Sequence, residues 1–261
     1  MRPCSALRRA ALLRGASVAI ALSLAACAAP TREPVVVFAA SSLTEALSAL
    51  EGPYEEAHPE HDLRLSFAGS QVLRLQLEQG ARADVFASAD PEHAEALADA
   101  GLLDAPVAFA TSEIVAVVRD EREAPAQFVE LAETERLVMG TAGSPVGHYA
   151  RAALEDARST EGDGVVDAIL ARVVSEESNA ALVRAKLLLG EADAALLYRA
   201  DAQREGLRAL PLPTQRDATF VIAPTHDDSE AAEPRGGAFV AYVTGPEGRA
   251  VLERHGFEGA P

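Results

Sequence analysis

Strand-like and helix-like segments alternate along this 261-residue chain from Val35 onwards, and this alternation restricts its fold more than any other feature. Short apolar runs such as Val35–Phe38 and Ile114–Val118 predict strands, and stretches with apolar residues at helical spacing, such as Ala180–Leu189, predict helices. We also predict a helix break at Gly52-Pro53. The alternation is typical of α/β proteins, so we predict mainly parallel sheets flanked by helices.

Ser42 and Ser70 each lie at a junction between a predicted strand and a predicted helix. The first follows the strand Val35–Phe38, and the second follows the strand Leu63–Phe67. A serine at a helix start can cap the helix, whose free N–H groups carry partial positive charge. Two such junctions at one cleft would bind an anion without any cationic side chain. The alternative is that both serines only cap their helices.

The N-terminal residues have the pattern of an export signal. Four arginines occur within the first 14 residues without any acidic residue, and the apolar run Ala16–Ala26 follows. This run is too short for a transmembrane helix, which needs about 20 apolar residues. Its end, Leu24-Ala25-Ala26-Cys27, resembles the lipobox of bacterial lipoproteins. We therefore expect a signal peptide at 1–26, a lipidated Cys27 and a tether at 27–33. The alternatives are a secretory signal cut near Ala26, or an uncleaved anchor.

Cysteine and histidine usage restricts the chemistry of the mature chain. Cys4 and Cys27 are its two cysteines, so disulfides, thiolate metal sites and a cysteine nucleophile are excluded downstream of Cys27. The six histidines include no pair at the helical spacing of metal ligands. We expect His58 and His61 to be solvated in a polar turn.

The charge balance is strongly acidic. The formal net charge is −17, and removing the four signal arginines leaves 19 basic against 40 acidic residues, or −21. Nucleic-acid binding needs clustered Lys and Arg, so this balance argues against it. An anionic ligand is still compatible with it, because surface charges are screened beyond about 8 Å at physiological salt.

Six stretches, in order along the chain, resemble the periplasmic molybdate-binding proteins of ABC importers, which belong to the type II periplasmic binding proteins. The resemblance covers nearly the whole mature chain, and it rests on the joint occurrence of the stretches. These are Val36–Thr44, Ser66–Ser70, Gly80–Asp90, Pro145–Ala150, Gly190–Tyr198 and Gly245–Phe257.

The resemblance implies a fold of two α/β lobes with the ligand held between them. The two lobes would be joined by crossing hinge strands at Thr111–Val118 and Asp217–Ala223. Lobe I would then comprise residues 34–110 and 221–261, and lobe II residues 111–220. Hinge closure around the ligand is the usual motion of such a fold.

The resemblance also implies a set of oxyanion ligands from both lobes. Lobe I would contribute the hydroxyl and backbone N–H groups of Ser42 and Ser70. Lobe II would contribute the backbone N–H groups of Val146 and Ala180 and the hydroxyl of Tyr198. An alternative for Tyr198 is a buried tyrosine whose hydroxyl bonds a backbone carbonyl.

Three neighbouring positions leave questions open. Ser41 adds a hydroxyl near the site, and Ser144 is either a turn residue or an auxiliary donor. Many family members have Val-Arg where this chain has Ala180-Ala181. Alanine should preserve a contact made through the backbone, whereas the role of the missing arginine is open.

By this resemblance the protein is a receptor for molybdate, and also for tungstate, that delivers the anion to an ABC permease. We expect a periplasmic monomer anchored through Cys27, without cofactor, in which molybdenum enters only as the bound oxyanion and has no direct protein ligands. The alternatives are a receptor for sulfate or another tetrahedral oxyanion, or a sensor derived from such a receptor. An enzyme is not expected, because there is no Gly-x-Ser-x-Gly motif and a Ser144–His148 pair would lack an orienting acid.

Overall fold

A computed structural model of the chain describes residues 32–119, 125–213, 216–226 and 235–260. The predicted signal peptide at 1–26, the lipidation site Cys27 and the acidic loop 227–233 lie outside these ranges. Only the end of the predicted tether is described, and Glu33 already belongs to the first strand. In the described ranges, no helix combines the length and the apolar character needed to cross a membrane.

The first sheet has the strand order β2-β1-β3-β9-β4. Strand β1 is parallel to β2 and β3, whereas β9 is antiparallel to β3 and β4. Val35 and Val37 of β1 are fully buried, as expected for an apolar strand covered by helices. The strands are β1 (Glu33–Ala40), β2 (His61–Ala68), β3 (Val85–Ser88), β4 (Val107–Val118), β9 (Asp217–Pro224) and β10 (Glu258–Gly259), which pairs with β4.

The second sheet continues from β4 in the order β4-β7-β5-β6. Strand β5 is parallel to β6 and β7, while β7 and β8 pair antiparallel with β4. Every residue of β5 and β7 is buried, which explains their uninterrupted apolar sequences. The further strands are β5 (Leu137–Gly140), β6 (Val173–Glu177), β7 (Ala194–Tyr198) and β8 (Arg208–Pro211).

Strand β4 belongs to both sheets. Its residues Val107–Glu113 pair with β9, and its residues Ile114–Val118 pair with β7. We call the part of the molecule built on the first sheet the first lobe and the part built on the second sheet the second lobe. The two-lobed α/β fold is as predicted, with β4 and β9 as the crossing strands. The predicted lobe boundaries at 110/111 and 220/221 stay a prediction.

Helices cover the sheets, and two short 3₁₀ turns, Ser41–Leu43 and Phe128–Glu133, occur among them. The helices are α1 (Thr44–Ala57), α2 (Ser70–Glu78), α3 (Pro91–Asp99), α4 (Pro145–Glu161), α5 (Asp163–Leu170), α6 (Ala180–Leu188), α7 (Arg199–Arg204), α8 (Arg235–Thr244) and α9 (Pro246–Arg254).

The predicted helix break at Gly52-Pro53 is wrong, because α1 continues through Pro53. A proline inside a helix removes one hydrogen bond and costs about 3 kcal/mol. Leu47, Leu50 and Tyr54 lie at helical spacing on both sides of the proline and are fully buried. Burial of this apolar face offsets the cost, so the helix passes over the proline.

The C-terminal helices return to the first lobe and pack on α1. The Phe239 and Tyr242 rings of α8 lie with their centroids 5.1 and 5.4 Å from that of Tyr54, in edge-to-face geometry. Such aromatic pairs stabilise a contact beyond the area that they bury. The chain therefore enters and leaves the fold through the first lobe.

Candidate functional site

The two lobes meet around a cleft of about 190 Å³, part of which is open to solvent. All five residues that the resemblance implies as oxyanion ligands line this cleft, and each is at most 4% exposed. They are Ser42 and Ser70 from the first lobe and Val146, Ala180 and Tyr198 from the second. The other lining residues are Ala40, Ser41, Ala68, Gly69, Ala89, Pro145 and Asn179.

Neither serine of the first lobe caps a helix with its side chain. Ser42 lies within the 3₁₀ turn before α1, and its buried Oγ has no hydrogen-bond partner. Ser70 is the first residue of α2, and its Oγ accepts a hydrogen bond from Ala89 N at 3.1 Å. The alternative that both serines only cap their helices is therefore wrong. The proton of each hydroxyl is available to a ligand.

Val146 and Ala180 lie in the first turns of α4 and α6. The N–H groups of a first helical turn have no acceptor within their own helix, so they are available at the cleft. Asn179 caps α6 by accepting from Leu182 N at 3.0 Å. The N-cap of α4 is Ser144.

Ser144 is a capping residue and not an auxiliary ligand. Its hydroxyl donates to Thr141 O at 2.8 Å and accepts from Gly147 N at 3.3 Å. Its one proton is therefore used inside the loop, and the residue does not line the cleft. The start of α4 was predicted at His148, three residues late, because Pro145-Val146-Gly147 has the composition of a loop. Proline suits the first helical position, where no N–H is needed.

Tyr198 ends β7, and its hydroxyl is buried without a hydrogen-bond partner. Its ring packs edge-to-face on Phe220 with the centroids 5.3 Å apart. The alternative in which the hydroxyl bonds a backbone carbonyl is therefore wrong. Burial holds the pKa of Tyr198 well above its ordinary value of 10, so the phenol keeps its proton and acts as a donor.

The cleft is electrostatically suited to an acceptor-rich ligand. The lining residues named above include no charged side chain, and the turn Ser41–Leu43, α2, α4 and α6 all begin at the cleft. Helix starts carry partial positive charge, which favours anions. A buried hydroxyl without a partner costs about 1–3 kcal/mol. Two such hydroxyls, from opposite lobes, therefore indicate a ligand that accepts hydrogen bonds from both.

The lobes contact each other directly beside the cleft. Ser41 Oγ donates to Asn179 Oδ1 at 3.3 Å and accepts from Ala181 N at 3.4 Å, and Gln71 Nε2 donates to Ser178 O at 2.6 Å. The cleft is therefore closed. Asn179 was missed as a lining residue, although an asparagine before an apolar helical run is a capping signal.

His58, Glu60 and His61 form a cluster whose potential metal-ligand atoms lie within 4.8 Å of one another. The two imidazole rings are stacked, with an interplanar angle of 17° and their centroids 5.6 Å apart. Nitrogen lone pairs in two separate parallel planes do not converge on one ion. His61 Nδ1 also lies 2.7 Å from the Tyr54 hydroxyl. His61 is only 8% exposed, so the prediction that it is solvated is wrong.

Comparisons with known proteins agree with this geometry. The molybdate-binding protein ModA of Mycobacterium tuberculosis is 34% identical over 241 residues, which cover 88% of this chain and 87% of that protein. The periplasmic molybdate-binding protein of Azotobacter vinelandii shares the fold with a TM-score of 0.73 at 18% identity, over 87% of this chain and 100% of that one. The sulfate-binding protein SubI of M. tuberculosis shares it with a TM-score of 0.75 at 14% identity, over 88% of each chain.

A family model for bacterial extracellular solute-binding proteins matches residues 35–258, which is nearly all of the described chain. The two lobes, the crossing strands and the closed cleft between them are the architecture through which such proteins enclose a solute. This chain belongs to the family of bacterial extracellular solute-binding proteins.

Proposed function

We propose that this protein captures molybdate, and also tungstate, between its two lobes and delivers the anion to the permease of an ABC importer. The observation that carries the proposal is the pair of buried, unpartnered hydroxyls of Ser42 and Tyr198 on opposite walls of one cleft. The similarity to proteins named for molybdate binding supports the choice of anion. A solute-binding protein releases its ligand unchanged, so the chain is not an enzyme and needs no cofactor.

The proposed ligand set consists of neutral donors alone. Ser42 and Ser70 would donate from their hydroxyl and backbone N–H groups, Val146 and Ala180 from backbone N–H groups, and Tyr198 from its phenol. This set suits a fully deprotonated dianion, which only accepts hydrogen bonds. Phosphate carries a proton at neutral pH and requires an acceptor, which a carboxylate would supply. The cleft lining contains no carboxylate side chain.

The proposed setting is the outer side of the cytoplasmic membrane. The family is extracellular, and the N-terminal sequence supports export followed by lipidation at Cys27. We propose that a monomer is anchored there and that its lobes, 34–110 with 221–261 and 111–220, close as units about the crossing strands.

Calorimetric titration of the protein with molybdate, tungstate, sulfate and phosphate tests the proposal. We expect tight and nearly equal binding of molybdate and tungstate, and no displacement of molybdate by a large excess of phosphate. Tighter binding of sulfate than of molybdate would assign the cleft to sulfate instead. Displacement by phosphate at neutral pH would mean that an acceptor group reaches the ligand, and the donor-only set would be wrong.

A further inference from the structure

Five charged side chains form a cluster that crosses between the lobes next to the cleft. Glu45 extends from α1 in the first lobe, whereas Arg184, Asp201, Arg204 and Glu205 come from α6, α7 and the end of α7 in the second. Glu45 Oε2 lies 2.7 Å from Arg204 Nη1, and Glu45 Oε1 lies 3.3 Å from Arg184 Nη2. The ion pairs of this cluster that join the two lobes therefore all end on the carboxylate of Glu45.

The two arginines are also held from within the second lobe. Arg184 Nη1 lies 3.2 Å from Glu205 Oε1, and Arg204 Nη2 lies 3.3 Å from Asp201 Oδ1. The side chains of Arg184 and Arg204 are only 15% and 14% exposed. Their positions are thus set by their own lobe, so that Glu45 meets a preorganised pair of donors and orders little on contact. Partial burial also protects these ion pairs from screening by salt.

The same cluster contacts the backbone of a proposed ligand residue. Arg204 Nη2 donates to Ser42 O at 3.3 Å, and Ser42 lies in the turn that leads directly into the first turn of α1, where Glu45 is found. Moving the lobes apart would break the Glu45 ion pairs and the Ser42 contact together. With three carboxylates for two guanidinium groups, the cluster supplies no excess positive charge to an anion. Its effect is therefore on closure of the cleft.

We propose that Glu45 is a positioning residue that holds the lobes closed through Arg184 and Arg204 and thereby sets the rate at which the bound anion leaves. Glu45 does not line the cleft and touches no ligand position. This inference deepens the proposed function, since it describes release from the same cleft.

The first test is the release of radiolabelled molybdate from the full chain, chased with excess unlabelled anion. We expect Glu45→Gln to release the anion roughly tenfold faster, which corresponds to about 1.4 kcal/mol. Glu205→Gln is the matched control, because Glu205 pairs with Arg184 inside the second lobe and has a side-chain exposure of 30%, against 35% for Glu45. Release from this control should stay within about twofold of wild type, as expected for loss of one exposed ion pair. Unchanged release from Glu45→Gln, or equal acceleration in both variants, would overturn the clamp.

A second measurement separates the clamp from the identity of the ligand. Cys4 and Cys27 are the chain's two cysteines, so changing both to serine allows spin labels at the exposed Leu75→Cys on α2 and Leu188→Cys on α6. Without any anion, Glu45→Gln should populate longer distances between the lobes than wild type or Glu205→Gln. If wild type fails to bind molybdate, the proposed anion is wrong and this measurement decides. Identical distance distributions in the three chains would then refute the clamp.

Discussion

The hydroxyl of Tyr198 is the second lobe's only side-chain donor among the proposed ligands. Its ring is held by Phe220 and by the surrounding core, so the hydroxyl needs no ordering when a ligand arrives. Because Tyr198 and Ser42 come from opposite lobes, an anion bound to both of them would stabilise the closed form. The phenol would then affect release more than initial capture.

Tyr198→Phe removes one donor and leaves the ring packing intact. We expect binding to weaken by about 1.5–3 kcal/mol, the range for a hydrogen bond to a charged group, mostly through faster release. Tyr242→Phe is the control, because Tyr242 packs on Tyr54 in the first lobe and does not line the cleft. If Tyr198→Phe binds like wild type while Ser42→Ala is impaired, the second lobe holds the anion through the backbone N–H groups of Val146 and Ala180 alone.

Asp201 is fully buried, and burial raises its pKa from an ordinary value of 3.8 to about 6, against the opposing effect of Arg204 and Arg184. Glu45 and Glu205 raise the pKa further. Between about pH 4 and 6 the folded protein therefore holds a proton that the unfolded chain has released. The contribution of Asp201 to stability is complete below this range and is lost as the pH rises through it.

Asp201→Asn should remove this pH dependence. Denaturant unfolding at several pH values should show that wild type loses roughly 3 kcal/mol relative to the variant between about pH 4 and pH 7, since two pH units correspond to about 2.7 kcal/mol. The difference between the two proteins isolates Asp201 from the other carboxylates. Parallel curves for the two proteins would show that Asp201 is already ionised throughout this range.

Among the elements, the start of α2 lies closest to the opposite lobe. A Cβ atom added at Gly69 would lie 2.7 Å from the backbone oxygen of Ser178 in the second lobe. The φ angle of Gly69 is −66°, so alanine can adopt its backbone conformation. The glycine is therefore required by the close approach of the lobes and not by the turn itself.

Gly69→Ala should leave the free energy of unfolding almost unchanged and weaken ligand binding at least roughly tenfold, because overpacking of a tight contact costs about 1–3 kcal/mol. Gly143→Ala, at a position with open space around it, is the control and should bind normally. Calorimetric titration together with thermal unfolding distinguishes the two effects. Normal binding by Gly69→Ala would show that the lobes can close without this contact.

Most elements could be predicted because their apolar periodicity is strong, but α7 was missed. Its six residues, Arg199–Arg204, are largely polar in sequence and follow directly on a strand, so no period is visible. The same short helix places Asp201 and Arg204 against Glu45 from α1. Contacts between residues more than 130 positions apart leave no local trace in one sequence, which is why Ser41–Asn179 and Glu45–Arg184 could not be predicted.

For the whole molecule, the five proposed ligand residues were identified by resemblance, and the structure brings them to one cleft. The serine junctions alone left capping as an alternative, because the capping pattern does not reveal where a hydroxyl points. Only the relative placement of the two lobes shows that the hydroxyls of Ser42 and Tyr198 lack partners.

Attachment to the membrane is also a property of the whole molecule. If Cys27 carries the lipid, Cys27→Ser should abolish metabolic labelling with a fatty acid and move the protein from the membrane to the soluble fraction, since several acyl chains are needed for stable anchoring. Cys4→Ser, within the predicted signal peptide, should change neither result. Labelling that persists in Cys27→Ser would overturn the lipobox assignment.

The two crossing strands have a thermodynamic consequence for ligand affinity. Strands β4 and β9 are hydrogen-bonded to each other from Val107 with Ile222 to Glu113 with Asp217. The lobes are thus joined by one paired ribbon and not by two independent linkers, so the open form samples few relative orientations. Little rotational entropy is then lost when the lobes close, and more of the hydrogen-bond energy at the anion is retained as net affinity.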